Sequence, residues 1–278
     1  MKHLSIVTLA KDLSQGLVTT LKSIYLLDTP IHHILVDGSE DVSMTQYMQL
    51  NFPQTQVLRL APRGIYNAMN FGLLHVQKDD NVLFLNSNDF LLDANKLIEL
   101  NLAASNSNSW AYGGVIAFSP QITPPLILGM SDFSRQSFKR GELLIPHPST
   151  ITPAKWIKEL GGFREDWKIS SDIDLAFRLF KRFGRPEFVP SLIAAHELGG
   201  ISTSNSTRQM KELRLSRLRN FPFTTTLISA RKFAGRYVKP NDAQTPLSEM
   251  SAEVKPHVRG CRRKLTYPYC CGNQLLIS

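Results

Sequence analysis

Two aspartates lie two residues apart in SSDIDLAFRLFKRFG, Ser170 to Gly184, where Ile173, Ala176, Phe177 and Phe180 recur at a helical period. Residues of this type at a helix start accept hydrogen bonds from free backbone N–H groups, worth about 1 kcal/mol. The alternative is a carboxylate offered to something outside the chain. Three other stretches carry polar side chains next to apolar runs: Asp37 in VDGSEDVS, Arg63 to Asn70 in RGIYNAMN, and Asn86 to Asp89 in LFLNSND.

The elements that would hold these residues alternate. LSIVTLA (Leu4–Ala10) reads as a strand, followed by a helix with Leu17, Leu21 and Ile24 on one face. A second strand, IHHILVD, ends at Asp37-Gly38, and Gln56–Ala61 makes a third. GIYNAMNFGLLHVQ is predicted to be a helix with Ile65, Met69, Leu73 and Val76 inward, and NVLFLNSND a fourth strand. A βαβαβαβ beginning calls for a mostly parallel sheet with helices on both faces. In such sheets ligands sit outside the carboxyl ends of the strands, and the polar stretches cluster there.

Further along, Asp93–Ala104 reads as a helix and Ser109–Ser119 as a strand, whereas 120–148, rich in Pro, Ser and Gly, reads as loops. A short helix over Pro153–Leu160 stops at Gly161-Gly162. The Asp172 helix follows, then a strand in EFVPSLIAAHELGGIS, and a basic helix over Arg208–Arg219.

Charge divides the chain of 278 residues. The first 200 carry 18 Lys and Arg against 19 Asp and Glu, a net of −1, while residues 201–278 carry 14 against 4, a net of +10. Cys261, Cys270 and Cys271 lie in the same C-terminal part without zinc-ligand spacing. No run approaches the roughly 20 apolar residues of a membrane span. The N-terminus reads as a strand rather than a leader, which places the body in the cytoplasm. The organisation expected is a main domain over 1–203, a basic helical extension over 204–239 and a tail over 240–278 expected to be disordered.

Taken together, VDGSEDVS, PRGIYNAMNFG, LFLNSND, SSDIDLAFRL and LGGIS resemble the family 2 glycosyltransferases of GT-A fold, over about Ser5 to Ser202. The resemblance is nearest to the bacterial subgroup that acts on cell-surface polysaccharides such as colanic acid or O-antigen. The usual runs of that family are close to DGxSxDGT, GIYDAMNKG, FLNSGD, ADYDLxLRL and GGIS. Here Asn88 replaces the more usual glycine, and the Gly38–Ser43 loop is one residue shorter.

The resemblance implies an inverting transfer from a nucleotide-sugar donor, with UDP preferred, to a hydroxyl of a glycan or lipid-linked acceptor. It assigns Thr8, Asp37, Arg63, Gly64, Tyr66, Asn70 and Asn88 to the donor, with Asp37 on the nucleobase and Tyr66 packed on sugar or base. Free N–H groups behind Gly64 would suit the diphosphate. Asp89, with His196, would hold Mg²⁺ or Mn²⁺, a hard cation with oxygen ligands. Asp172 would be the general base and Asp174 a capping or supporting residue. His147 and Trp167 would line the acceptor side. All of this requires Asp89 and Asp172 to converge on one site.

Other classes fit less well. The basic excess is confined to the C-terminal part, without a recognition helix or an aromatic RNA-binding signature, so nucleic acid is not expected. Interleaved leucine and arginine there suit peripheral docking on an anionic inner membrane. The alternative function is a nucleotide-sugar-binding protein without turnover, suggested by Asn88 and the short loop.

Overall fold

The structure, a computed structural model, describes residues 1–27, 29–119, 122–198 and 206–222. Glycines 199 and 200 of LGGIS, most of the basic extension and the tail lie outside the described residues. The opening half runs β1 (Leu4–Ala10), α1 (Gln15–Tyr25), β2 (Ile31–Asp37), α2 (Ser43–Asn51), β3 (Gln56–Arg59), α3 (Ile65–His75) and β4 (Asn81–Phe84). The rest runs β5 (Asp89–Leu91), α4 (Ala94–Asn106), β6 (Ala111–Ser119), β7 (Ile122–Leu128), α5 (Arg135–Arg140), a 3₁₀ turn (His147–Ser149), β8 (Thr150–Pro153), α6 (Ala154–Glu159), α7 (Ser171–Phe183), β9 (Glu187–Glu197) and α8 (Ser206–Asn220).

One sheet of order β3-β2-β1-β4-β8-β6-β9-β5, with β7 on β6, carries the nine strands of the described residues. The opening strands pair in parallel, β2 with β1 and β3 and β1 with β4. Successive connections leave β1 in opposite directions, so a switch point falls between β1 and β4, where ligands gather in open α/β sheets. Antiparallel pairing enters at β4–β8, β8–β6, β6–β7 and β9–β5, while β6 and β9 remain parallel.

β1 is buried along its whole length and sorts its side chains by alternation. Val7 and Leu9 join the core with Met69 and Leu73 of α3 and Phe177 of α7. Leu4 and Ile6 pack on the opposite side with Leu97 and Leu100 of α4. Ser14 caps α1, its hydroxyl accepting from Leu17 N at 3.1 Å, and Leu17, Leu21 and Ile24 are buried as the period requires.

Several elements differ from expectation. Ile65 is exposed, because α3 is phased so that Tyr66, Met69 and Leu73 take the inward face. The region 120–148 holds β7 and α5 rather than loops alone, and Thr150–Pro153 forms a strand ahead of α6, which occupies Ala154–Glu159 within the expected Pro153–Leu160 helix. Helix α7 is buried on more than one side: Leu175 and Leu179 are covered along with Phe177 and Phe180, while Ile173 is half-buried. Part of that cover comes from α8, which packs along α7.

Candidate active site

Asp89 is placed by a sharp turn. After β4 the backbone keeps pairing with β1, Leu85 N to Val7 O at 3.0 Å and Ser87 N to Leu9 O at 3.1 Å. Asn88 then takes a left-handed conformation, φ 75°, and β5 runs back antiparallel to β9. A left-handed residue explains why glycine is usual here, and Asn is among the few others that adopt it readily. Asn88 Nδ2 also donates to Glu197 Oε2 at 2.8 Å. The turn sets Asp89 opposite His196 in the β5–β9 register, and His196 Nδ1 lies 2.6 Å from Asp89 Oδ1.

His147 opens the 3₁₀ turn behind Pro146 and reaches both acidic residues. Its Nε2 is 3.8 Å from Asp89 Oδ2, and its Nδ1 is 3.6 Å from Asp172 Oδ2. Asn86 Nδ2 is 3.2 Å from the same Nε2. With that amide donating, Nε2 accepts and the ring proton sits on Nδ1, toward Asp172. Burial lowers the His147 pKa against the pull of Asp172 and Asp89, which keeps the ring neutral. Burial also presses down on His196, but Asp89, Asp172 and Glu197 outweigh it and raise that pKa.

Asp172 is the second residue of α7, with 24% of its side chain exposed. Its Oδ1 accepts from Tyr66 Oη at 3.1 Å, and the same hydroxyl donates to Ile169 O at 2.5 Å. Burial, and next the Asp172 charge, hold the Tyr66 phenol well above its ordinary pKa, so it remains a donor. One imidazole therefore spans the two carboxylates that the sequence places far apart.

Asp174 does not cap the helix. It is fully buried and ion-paired through Oδ2 to Arg164 Nε at 2.9 Å and Arg178 Nε at 2.8 Å. Its Oδ1 accepts from Ser216 Oγ at 2.7 Å and Asn220 Nδ2 at 3.1 Å on α8.

Other expected contacts take different positions. Thr8 is fully buried with its hydroxyl 3.0 Å from His33 Nε2, so it presents no side chain to a donor. Asp37 has no exposed side-chain surface; Ser39 N, Ser39 Oγ and Thr45 Oγ1 donate to it, making it the anchor of the Gly38–Ser43 turn rather than an open nucleobase contact. The Tyr66 ring stacks on Phe163, 5.8 Å between centroids, and is too buried to carry a sugar or base. Asn70 ties α3 to the next loop, accepting from Phe163 N at 2.8 Å and donating to Phe163 O and Glu165 Oε1, both at 2.9 Å. Trp167 is buried under the Arg219 guanidinium, which removes it from the acceptor side. Arg63 and Gly64 are exposed at the start of α3. Gly64, at φ 113°, keeps open space where a side chain would stand.

Asn86 belongs to the site through its contact with His147, although the sequence marks it only as the first polar residue of the Asn86–Asp89 stretch and assigns it no role. Glu197, one residue past His196, carries no such mark.

Among the described residues no three His, Cys, Asp or Glu side chains form a ready-made metal cluster. A cation nonetheless fits the donor set, because Asp89 Oδ2 and Asn86 Oδ1 are buried oxygens that accept no hydrogen bond. Hard divalent cations take such oxygens, and a diphosphate can complete the shell.

The sheet order, with its switch point between β1 and β4, is the scaffold on which Asp89 and Asp172 meet at His147. No family model matches the chain. Two uncharacterized glycosyltransferases of Mycobacterium tuberculosis, from strains CDC 1551 and H37Rv, are each 25% identical over 181 residues, covering 63% of this chain and 67% of theirs. S. aureus TarS 1-349 in complex with UDP-GlcNAc superposes with a TM-score of 0.63 at 14% identity, over 93% of this chain and 79% of that one. The mannosyltransferase PcManGT from Pyrobaculum calidifontis, in complex with GDP-Man and Mn²⁺, gives 0.56 at 16% identity, over 78% and 63%. The chain shares the fold of these solved glycosyltransferases.

Proposed function

We propose that the chain is an inverting family 2 glycosyltransferase. It moves a sugar from a nucleotide-sugar donor, UDP-linked by preference, to a hydroxyl of a glycan or lipid-linked acceptor in cell-surface polysaccharide assembly. The observation that carries this reading is His147, within 3.8 Å of Asp89 and 3.6 Å of Asp172. The donors named for TarS and PcManGT support it.

In this mechanism Asp172 accepts the proton of the acceptor hydroxyl as its oxygen bonds to the anomeric carbon. The bond from that carbon to the donor phosphate breaks, and its electron pair leaves with the nucleoside diphosphate. Positioned proton transfer of this kind contributes about 10²–10⁴-fold. Tyr66 fixes one Asp172 oxygen and neutral His147 faces the other, leaving the carboxylate oriented for one proton. Asp89 and His196 would hold Mg²⁺ or Mn²⁺, whose charge offsets that of the departing diphosphate. The free N–H groups behind Gly64, with Arg63 beside them, suit the donor phosphates.

The outer face of α8 exposes Arg208, Lys211, Arg214 and Arg219 together with Leu215 and Leu218. That face supports docking on the cytoplasmic surface of an anionic membrane, where each basic residue contributes about 1 kcal/mol.

A panel of UDP- and GDP-sugars, screened by thermal stabilisation in the presence of Mn²⁺, identifies the donor. Release of nucleoside diphosphate from that donor should be Mn²⁺-dependent and lost in Asp89→Ala. Asp172→Asn should keep the donor-induced shift and lose at least 100-fold in turnover. Turnover of Asp172→Asn at the wild-type rate would sink the assignment.

A further inference from the structure

Helix α8 turns a polar face inward. Gln209, Glu212, Ser216 and Asn220 are buried, while Leu215 and Leu218 point out. Burying a carboxylate is costly unless charge-assisted hydrogen bonds replace its water. Glu212 finds three such bonds in consecutive backbone groups: Oε1 accepts from Lys168 N at 3.0 Å, and Oε2 from Ile169 N and Ser170 N, both at 2.9 Å. Arg208 Nε, 3.3 Å from Oε1, is its only ion-pair partner among the described residues.

The segment so gripped leads directly into α7, whose second residue is Asp172. Its opposite side is held as well, since Ile169 O accepts from the Tyr66 hydroxyl that also reaches Asp172. Residues 168–170 are therefore clamped by amide N–H groups on the α8 side and by a carbonyl on the α3 side. From this geometry we propose that Glu212 is a positioning residue for Asp172: it fixes the backbone entering α7, and with it the direction of the Asp172 carboxylate. The inference rests on Asp172 being the base.

Glu212→Gln keeps the shape but turns an NH₂ toward backbone N–H groups, so one side of the clamp opens. Amide hydrogen exchange in a peptide spanning 165–172 should quicken by 10-fold or more, and exchange in β1 should stay unchanged. With the donor found by the nucleotide-sugar panel, kcat for nucleoside diphosphate release should fall about 10-fold or more while donor KM stays within about 2-fold. In an Asp172→Asn background, Glu212→Gln should cause no further loss in kcat, because residues acting through one another are not additive. Ser216→Ala, which touches Asp174 instead of the clamped segment, is the control: it should lower Tm and retain kcat.

If Glu212→Gln does not fold, Glu212→Asp, which withdraws the carboxylate from the amides, is read the same way. Unchanged exchange over 165–172, an unchanged kcat, full additivity with Asp172→Asn, or an equal kcat loss in Ser216→Ala each overturns the proposal. Normal turnover of Asp172→Asn would instead remove the reading beneath it, while faster exchange in Glu212→Gln would still show the clamp.

Discussion

Asn88 shows how far one side chain can depart from its usual pattern without losing the geometry. The turn that aims Asp89 needs a left-handed residue, and Asn88 supplies it at φ 75°. A β-branched residue there would add roughly 1–2 kcal/mol of backbone strain. Asn88→Val is therefore expected to cost about that much in urea unfolding and to displace Asp89, lowering Mn²⁺-dependent nucleotide release. Asn88→Gly gives up the bond to Glu197 but relieves strain, and should stay within about 1 kcal/mol of wild type. Tyr66 offers a second test at this scale. Tyr66→Phe leaves Ile169 O without its buried partner, a loss of about 1–3 kcal/mol in stability. It also frees Asp172 Oδ1, so turnover should fall while the donor-induced thermal shift persists.

At the scale of elements, the last described helix is built into the domain. Asp174 binds Arg164 and Arg178 from its own side and Ser216 and Asn220 from α8. Removing its charge strands the Arg178 guanidinium, whose side chain is only 12% exposed. Loss of one partner of a buried pair typically costs about 3–5 kcal/mol. Asp174→Ala should therefore shift the urea midpoint strongly while leaving donor preference alone. For the same reason, deleting α8 would test folding before membrane binding. The cleaner measurement is Lys211→Glu with Arg214→Glu, both on the exposed face. Two reversals should weaken binding to vesicles containing anionic lipid by at least 10-fold at low salt, with turnover in solution unchanged. Equal vesicle binding by wild type and variant would remove the membrane from the proposal.

Across the whole molecule, burial sets the pH response. His33 lies within the sheet core, bonded to Thr8 Oγ1 at 3.0 Å and Thr55 Oγ1 at 3.1 Å. Burial lowers its pKa to about 3, with a smaller push from His32. A depressed folded pKa means His33 is neutral when folded and protonates first in the unfolded chain. Its contribution is full above about pH 6.5 and declines as pH falls toward 3, by about 1.4 kcal/mol per unit. Urea unfolding at pH 7 and pH 5 should show that decline in wild type and a weaker one in His33→Gln. The sequence by itself determined the alternation of β1 to β4 with their helices, because continuous β-branched runs and helical periods are local properties. It likewise singled out LNSND and SSDID, whose Asp89 and Asp172 the structure brings to one imidazole. It could not reveal β5 or β8, which are short and exist through their pairing with β9, β4 and β6. Nor could it tell an open Asp37 from one closed by Ser39 and Thr45, or a supporting Asp174 from a capping one. Only the tertiary structure decided that His147 would stand between Asp89 and Asp172, and that α8 would grip the backbone ahead of the latter. Those relations join residues dozens of positions apart, and nothing in local propensity records which distant side chain will arrive beside them.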